Sequence, residues 1–251
     1  MVLGHGRLDR QVFATPPPRA AVAGFAHWVA QECPPHGRVL NIGAGRNLSG
    51  ELRPVRRRAG ELVGVDPDPA VADNTTLDEQ HCQTLEQYAA GDPDPFDLAF
   101  SVFVLEHVAD PRGFTLACAR VLRPGGTVMA LTVNKWHYFG LATWAATRTH
   151  VAEPLLRRLR PTDQVEAYHF ATEYRINTVG RMTRHLRAAG FASVEFRCWD
   201  LPGMYEPYLP TAARPFAQVY DRWAYRTGIP YLMGHITFCA RLPGTPERTP
   251  R

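Results

Sequence analysis

RVLNIGAGRN, residues 38–47, decides how the rest of the chain is read. Val39, Leu40 and Ile42 make an apolar run of strand length; Gly43, Ala44 and Gly45 follow at once, and a helical pattern begins near Leu48. Glycines at such a junction let backbone approach a ligand and take dihedrals that a side chain forbids. A helix start offers unpaired N–H groups to the same ligand. The stretch therefore reads as the first turn of a nucleotide-type α/β domain. Short Gly-x-Gly turns also occur as plain tight turns, so the reading rests on what surrounds this one.

On its C-terminal side, Glu61–Val65 reads as a second strand ending at Asp66. An acid there stands where a ribose hydroxyl pair is held, because a carboxylate accepts both hydrogen bonds. The arginines at 53 and 56–58 read as a solvated face. Residues 74–78 form a loop, a short strand lies near His81–Gln83, and Thr84–Tyr88 is one helical turn. Phe96–Leu105, FDLAFSVFVL, is almost continuously apolar, as a central parallel strand requires. Asp110-Pro111 starts a helix with an N-cap acid and a proline at the first position. Phe114, Ala117, Val121 and Leu122 are its buried stripe. Arg123-Pro124-Gly125-Gly126 ends that helix, and Val128–Val133 is the next strand.

On the N-terminal side, residues 1–18 read as an irregular arm ending in three prolines, followed by a helix from about Arg19 to Cys33. Beyond Val133 the alternation of strand and helix stops. Residues 134–177 show no clean strand and are dense in aromatic, histidine and arginine residues. Thr178 then caps a helix carrying Val179, Met182, Leu186 and Ala189, with Gly190 as its stop. Ala192–Cys198 alternates like a strand, Asp200–Gly228 is a second insert with a helix over 215–225, and Tyr231–Arg241 is a last strand. The fold class is α/β: a doubly wound, mostly parallel sheet with helices on both faces.

Composition narrows the function classes. The 251 residues carry a net charge of +4, with 45% hydrophobic and 21% charged residues, as in ordinary globular proteins. The basic residues form no single run and no aromatic–basic nucleic-acid motif, so no nucleic-acid partner is expected. No apolar run spans a bilayer, and the N-terminus lacks the apolar core of a signal peptide. The scattered Cys33, Cys82, Cys118, Cys198 and Cys239 make no Cys-x-x-Cys pair. Free thiols, no metal site and a cytoplasmic location are the expectation.

By Val133 the chain resembles the class I S-adenosylmethionine-dependent methyltransferases. The resemblance rests on VLNIGAG (39–45), VGVDPDP (63–69), FDLAFSVFVLEHVADP (96–111) and RVLRPGGTVMALT (120–132), and resumes at 178–198. A dinucleotide dehydrogenase would carry a third glycine where Leu48 stands. The resemblance implies a single domain: an arm and helix (1–36), a cofactor-binding core (37–133), an acceptor-pocket insert forming a lid (134–177), and the C-terminal part of the sheet (178–242) with a second insert near 200–230.

The resemblance also implies roles. Asn41, Gly43, Ala44 and Gly45 border the methionine part of S-adenosylmethionine, Asp66 holds the ribose, and Pro67 or Asp68 lies beside the adenine. Thr84 and Leu85 face the adenine, although many relatives have Asp where Thr84 stands. Phe103, with Val102 and Leu105 near it, flanks the sulfonium. Asn41 replaces a common acid, leaving one charge fewer near the cofactor.

The insert bears on the acceptor. A hydroxyl acceptor needs a base, for which His137 and His169 are the candidates. An ionised acceptor needs positive charge to hold it. His107, Tyr138, Tyr174 and Arg175 are the candidate acceptor-binding residues, and Tyr205, Tyr208 and Trp223 fit either an aromatic cap or plain packing. The expected activity is methyl transfer to a small molecule, at a hydroxyl or acidic oxygen, by a monomer or homodimer. The alternative is a protein that binds the cofactor without turnover and serves as a regulatory partner.

Overall fold

The computed structural model describes residues 10–12, 21–148, 172–199, 202–206 and 209–245. Eight strands form one sheet: β1 (Arg10–Val12), β2 (Arg38–Ile42), β3 (Glu61–Asp66), β4 (Glu79–Cys82), β5 (Phe96–Val102), β6 (Leu122–Val133), β7 (Ser193–Trp199) and β8 (His235–Arg241), in the order β1-β7-β8-β6-β5-β2-β3-β4. Every strand runs parallel except β8, which is antiparallel to both β6 and β7.

Seven helices are described: α1 (Ala21–Glu32), α2 (Arg53–Arg58), α3 (Leu85–Ala90), α4 (Pro111–Arg120), α5 (Tyr138–Arg148), α6 (Val179–Ala188) and α7 (Arg214–Thr227). They cover both faces of the sheet, as parallel strands require. On one face Phe25, Trp28 and Val29 of α1 and Val55 of α2 pack with Val39, Leu62, Leu98 and Phe100. On the other, Leu85 of α3, Phe114 of α4 and Met182 and Leu186 of α6 pack with Leu40, Val63, Val65 and Ala99. Each fully buried side chain of this size contributes about 1.5–3 kcal/mol.

Local signals set the boundaries. Asp110 accepts the Arg112 amide at 3.0 Å and starts α4. Thr178 caps α6 through the Arg181 amide at 3.3 Å. Thr84 and Gln87 form a reciprocal capping box at α3.

The structure corrects several expected boundaries. The run Phe96–Leu105 is a strand only to Val102, because Phe103 turns to φ 56° and Leu105–His107 form a short 3-10 helix. The sequence Arg123–Gly126 lies inside β6 rather than before it, with Gly125 at φ 77° absorbing an irregularity in the pairing with β5. The last strand begins at His235, not Tyr231; Pro230–Leu232 is a 3-10 turn. The helix after the glycine turn starts later than Leu48, as a 3-10 turn at Gly50–Leu52 leading into α2. Within the N-terminal arm, Arg10–Val12 is a strand on the outer edge of β7. No described helix is long and apolar enough to cross a membrane.

Candidate functional site

The chain winds outward from β2 in both directions, to β3 and β4 on one side and to β5 and β6 on the other. Such a reversal leaves a crevice outside the C-terminal strand ends. A cleft of about 760 Å³ lies there. Of the residues expected at a cofactor, Gly43, Gly45, Asp66, Pro67, Thr84, Leu85, Val102 and Phe103 line it, and His107 joins them. Asn41 and Ala44 do not: they are 4% and 5% exposed. Val39 and Ala44 belong to the core on the α1 face, and strand alternation puts Asn41 on the side of Val39.

The glycine turn is held from two directions. Gly43 has φ 70°, donates to the Val65 carbonyl at 2.8 Å, and has no room for a Cβ against Val104. Gly45, at φ 55°, donates to Asp66 Oδ2 at 2.9 Å. Asp66 Oδ1 accepts the Asp68 amide at 2.8 Å. From below, the buried Asn74 side chain donates to the Ala44 and Gly45 carbonyls at 3.3 and 3.0 Å. Asn74, which holds the turn, is the residue the sequence reading passed over as loop. Its burial beneath a turn 30 residues earlier leaves no local signal.

Phe103 is the strained point of the cleft. An aromatic residue at φ 56° is uncommon and costs energy that the surroundings must hold in place. Its amide donates to the Leu131 carbonyl at 2.8 Å, and its ring lies 5.8 Å from that of His235. Across the cleft, the Thr84 hydroxyl and amide are both engaged with Gln87.

Behind Phe103 lies a buried polar cluster between α5, α7 and β8. His137 is fully buried, and its Nδ1 accepts the Phe139 amide at 3.3 Å at the start of α5. Its Nε2 stands 3.6 Å from Asp221 Oδ1, too far for a hydrogen bond. Asp221 Oδ2 accepts the Gly203 amide at 2.9 Å and the Tyr138 hydroxyl at 3.4 Å. Tyr205 and His235 share a 2.8 Å hydrogen bond, and burial, with His137 close by, pushes the His235 pKa down to about 3.

The structure thus places His137 as a helix cap away from the cleft. Tyr138 meets Asp221, and the buried Tyr174, at φ 49°, bonds Thr143 at 2.9 Å. Arg175 is exposed and pairs with Glu173 at 3.0 Å. Trp223 is half exposed on α7, whereas His169 and Tyr208 lie outside the described residues.

The family follows from a comparison of the whole chain with known ones: residues 17–195, more than half of it, match the family model described as "Methyltransferase domain". The chain belongs to the methyltransferase domain family. Among curated relatives of this methyltransferase domain, the ubiquinone biosynthesis O-methyltransferase of Rhizobium etli is 35% identical over 139 residues, 51% of this chain and 52% of that protein. Its namesake from Maricaulis maris is 35% identical over 106 residues, 39% of this chain and 41% of that one. The chain spans about half the length of the curated relatives it matches.

Solved structures share the fold at low identity. A SAM-dependent methyltransferase from Archaeoglobus fulgidus superposes with TM-score 0.57 at 16% identity, covering 88% of this chain and 92% of that one. The 4+2 cyclase SpnF does so with TM-score 0.51 at 17% identity, over 89% and 82%. The second likeness makes the fold by itself silent about the reaction, so the chemistry must be argued from the residues of the methyltransferase domain.

Those residues are distinctive in charge. Asp66, Asp68, Glu86 and Asp110 line the cleft, and no Lys or Arg does so among the described residues. Between these acids the walls are apolar: Ile42, Val65, Leu85, Val102, Val104 and Phe114. The donor set fits a cationic ligand with hydroxyls and a flat apolar ring.

Proposed function

We propose that this methyltransferase domain binds S-adenosylmethionine and methylates an oxygen of a small, uncharged acceptor. The observation that carries the reading is the charge of the cleft, four carboxylates with no Lys or Arg among the described lining residues. A ligand bearing a sulfonium and an ammonium group is attracted there, whereas a dinucleotide diphosphate is repelled. An anionic acceptor would meet the same repulsion, which favours a neutral hydroxyl. The names of the relatives, both O-methyltransferases, support oxygen as the methylated atom.

Roles follow from position. Asp66 receives the ribose hydroxyls on the lone pairs its two backbone partners leave open. Pro67 and Leu85 hold the adenine between apolar surfaces, and the Gly43–Gly45 turn borders the methionine part. Val102 and Phe103 stand at the sulfonium end, and His107 faces the acceptor. When bound, S-adenosylmethionine supplies an activated methyl group on a good leaving group. The chain's main contribution is then placement, for which well-oriented reactions gain up to about 7–11 kcal/mol. His137, committed to α5, is not the base in this reading; the proton of a hydroxyl acceptor passes to His107 or to His169.

The test is calorimetric titration with S-adenosylhomocysteine, with NAD as control, followed by transfer of labelled methyl to a panel of phenols, catechols and carboxylates. Binding of the first ligand alone and labelling of hydroxyl acceptors support the proposal. Binding of NAD alone, or labelling confined to carboxylates, overturns it.

A further inference from the structure

Glu106 lies in the turn between the strained Phe103 and the α4 cap, next to His107 of the cleft wall, and is 4% exposed. Its main chain ties down the segment on which the chain returns toward α6. The Glu106 carbonyl accepts the Glu173 and Tyr174 amides at 2.7 and 3.1 Å. Its side chain reaches the end of β6: Oε1 accepts the Val133 amide at 3.3 Å, and Oε2 lies 3.0 Å from Thr132 Oγ1.

Counting donors around this group locates a proton. The Asn177 amide is oriented by two backbone contacts, its nitrogen 3.0 Å from the Leu105 carbonyl and its oxygen 3.3 Å from the Glu106 amide. The reverse orientation would give the Val133 carbonyl a donor at 3.4 Å, but it would set oxygen against the nearer Leu105 carbonyl and N–H against the Glu106 amide. So oriented, Asn177 presents its oxygen to Thr132 Oγ1 at 2.5 Å and needs the hydroxyl as donor. A threonine hydroxyl has one proton. With that proton directed to Asn177, a carboxylate at Oε2 would face only a lone pair in a buried site. A carboxylic acid resolves the contact: Glu106 donates to Thr132, and Thr132 donates to Asn177.

We propose that Glu106 is a neutral positioning acid whose proton latches residues 173–177 onto the cleft wall, and that the latched form is the one competent to bind ligand. Burial also pushes the acid up to about 7 from an ordinary 4.5, outweighing the hydrogen bonds that lower it, the Val133 amide's among them. Those causes include no charged neighbour. Of the flanking charges, Glu173 and Arg175 on the returning segment pair with each other, and His107 belongs to the cleft wall. Ionisation draws the Thr132 proton back to Glu106 and leaves the Asn177 oxygen without it. An alkaline loss of activity in this protein then belongs to the latch rather than to a base or to the acceptor.

The ligand readout rests on the cofactor reading above; a second readout does not. In protein labelled with carbon-13 at the glutamate carboxyl, one glutamate should titrate near neutral pH, well separated from the others. If none does, the proposal is overturned, whether or not any ligand binds. For the ligand readout, S-adenosylhomocysteine affinity is followed by calorimetry from pH 6 to pH 8.5 in the wild type and in Glu106→Gln, whose amide keeps the donor to Thr132 at every pH. If only the latched form binds, wild-type affinity falls about tenfold per pH unit above the midpoint, while the Gln variant is as tight as wild type at pH 6 and stays flat. A Gln variant that tracks the wild-type decline, or binds more weakly at pH 6, overturns the proposal. Failure of the wild type to bind at any pH defeats the cofactor reading alone and leaves the decision to the carboxyl titration.

Discussion

Asp66 holds Gly45: the Oδ2 atom of one accepts the amide of the other at 2.9 Å, across 21 positions of sequence. One carboxylate therefore fixes the shape of the glycine turn while presenting itself to a ligand. Asp66→Ala should weaken S-adenosylhomocysteine binding by about 1–3 kcal/mol, the scale of a hydrogen bond to a charged group. It should also lower the thermal midpoint, because the Gly45 and Asp68 amides lose their acceptor. Calorimetry and a thermal scan on one preparation check both, and an unchanged affinity would sink the ribose assignment.

The two glycines of the turn should respond differently to alanine. At Gly45 nothing crowds a Cβ, so only the left-handed backbone resists, at about 1–2 kcal/mol. At Gly43 the same backbone cost is joined by collision with Val104. Denaturant unfolding should rank Gly43→Ala below Gly45→Ala, and adding Val104→Ala should restore part of the loss at position 43 only.

Glu106 also makes stability depend on pH. Its folded pKa is raised from 4.5 to about 7, so between those values the folded chain binds more protons than the unfolded one. Stability then falls as pH rises through that window, and the full loss, about 3 kcal/mol, is in place above it. Chemical denaturation at a series of pH values should show this slope in the wild type and not in Glu106→Gln; equal slopes would contradict it.

His137→Ala should act on folding rather than on rate. Losing the cap of α5 costs about 0.5–2 kcal/mol, and the buried Asp221 loses the ring that packs 3.6 Å from its Oδ1. Once an acceptor is known, the rate constant at saturation should change less than tenfold, whereas His107→Ala should raise the acceptor KM or lower that constant. A large drop in the His137 variant at unchanged stability would return the base role to it.

Most of the sheet was legible because parallel strands and amphipathic helices carry their periods locally. The alternation that marks β7, the Asp110-Pro111 start of α4 and the Thr178 cap are all contained within one element. What escaped was set by residues far apart. The apolar run from Phe96 does not reveal its break, since Val104 packs against the same core and Leu105 lies within it after the chain turns. Gly125 and Gly126 read as a stop, yet inside a ladder they serve as a kink. Around the cleft, Asp66 was legible from its place at a strand end, whereas Asn74 was not. Asp221, a lone acid in an otherwise basic helix, is buried only because Gly203 and Tyr138 meet it, the latter from 83 residues away.

The two margins of the sheet bear on how the molecule behaves at high concentration. An open strand edge invites pairing with another chain and so seeds aggregation. Here one margin is the three-residue β1 and the other is β4, four residues carrying Glu79, Gln80 and His81. Over the described residues both are short, and the second is polar, which makes each a poor template for further strands. The long, largely apolar strands β5 and β6 sit at the centre with partners on both sides. Strand order thus shelters the segments that could pair with another chain, and conditions that peel β4 or β1 away should be the first to expose them.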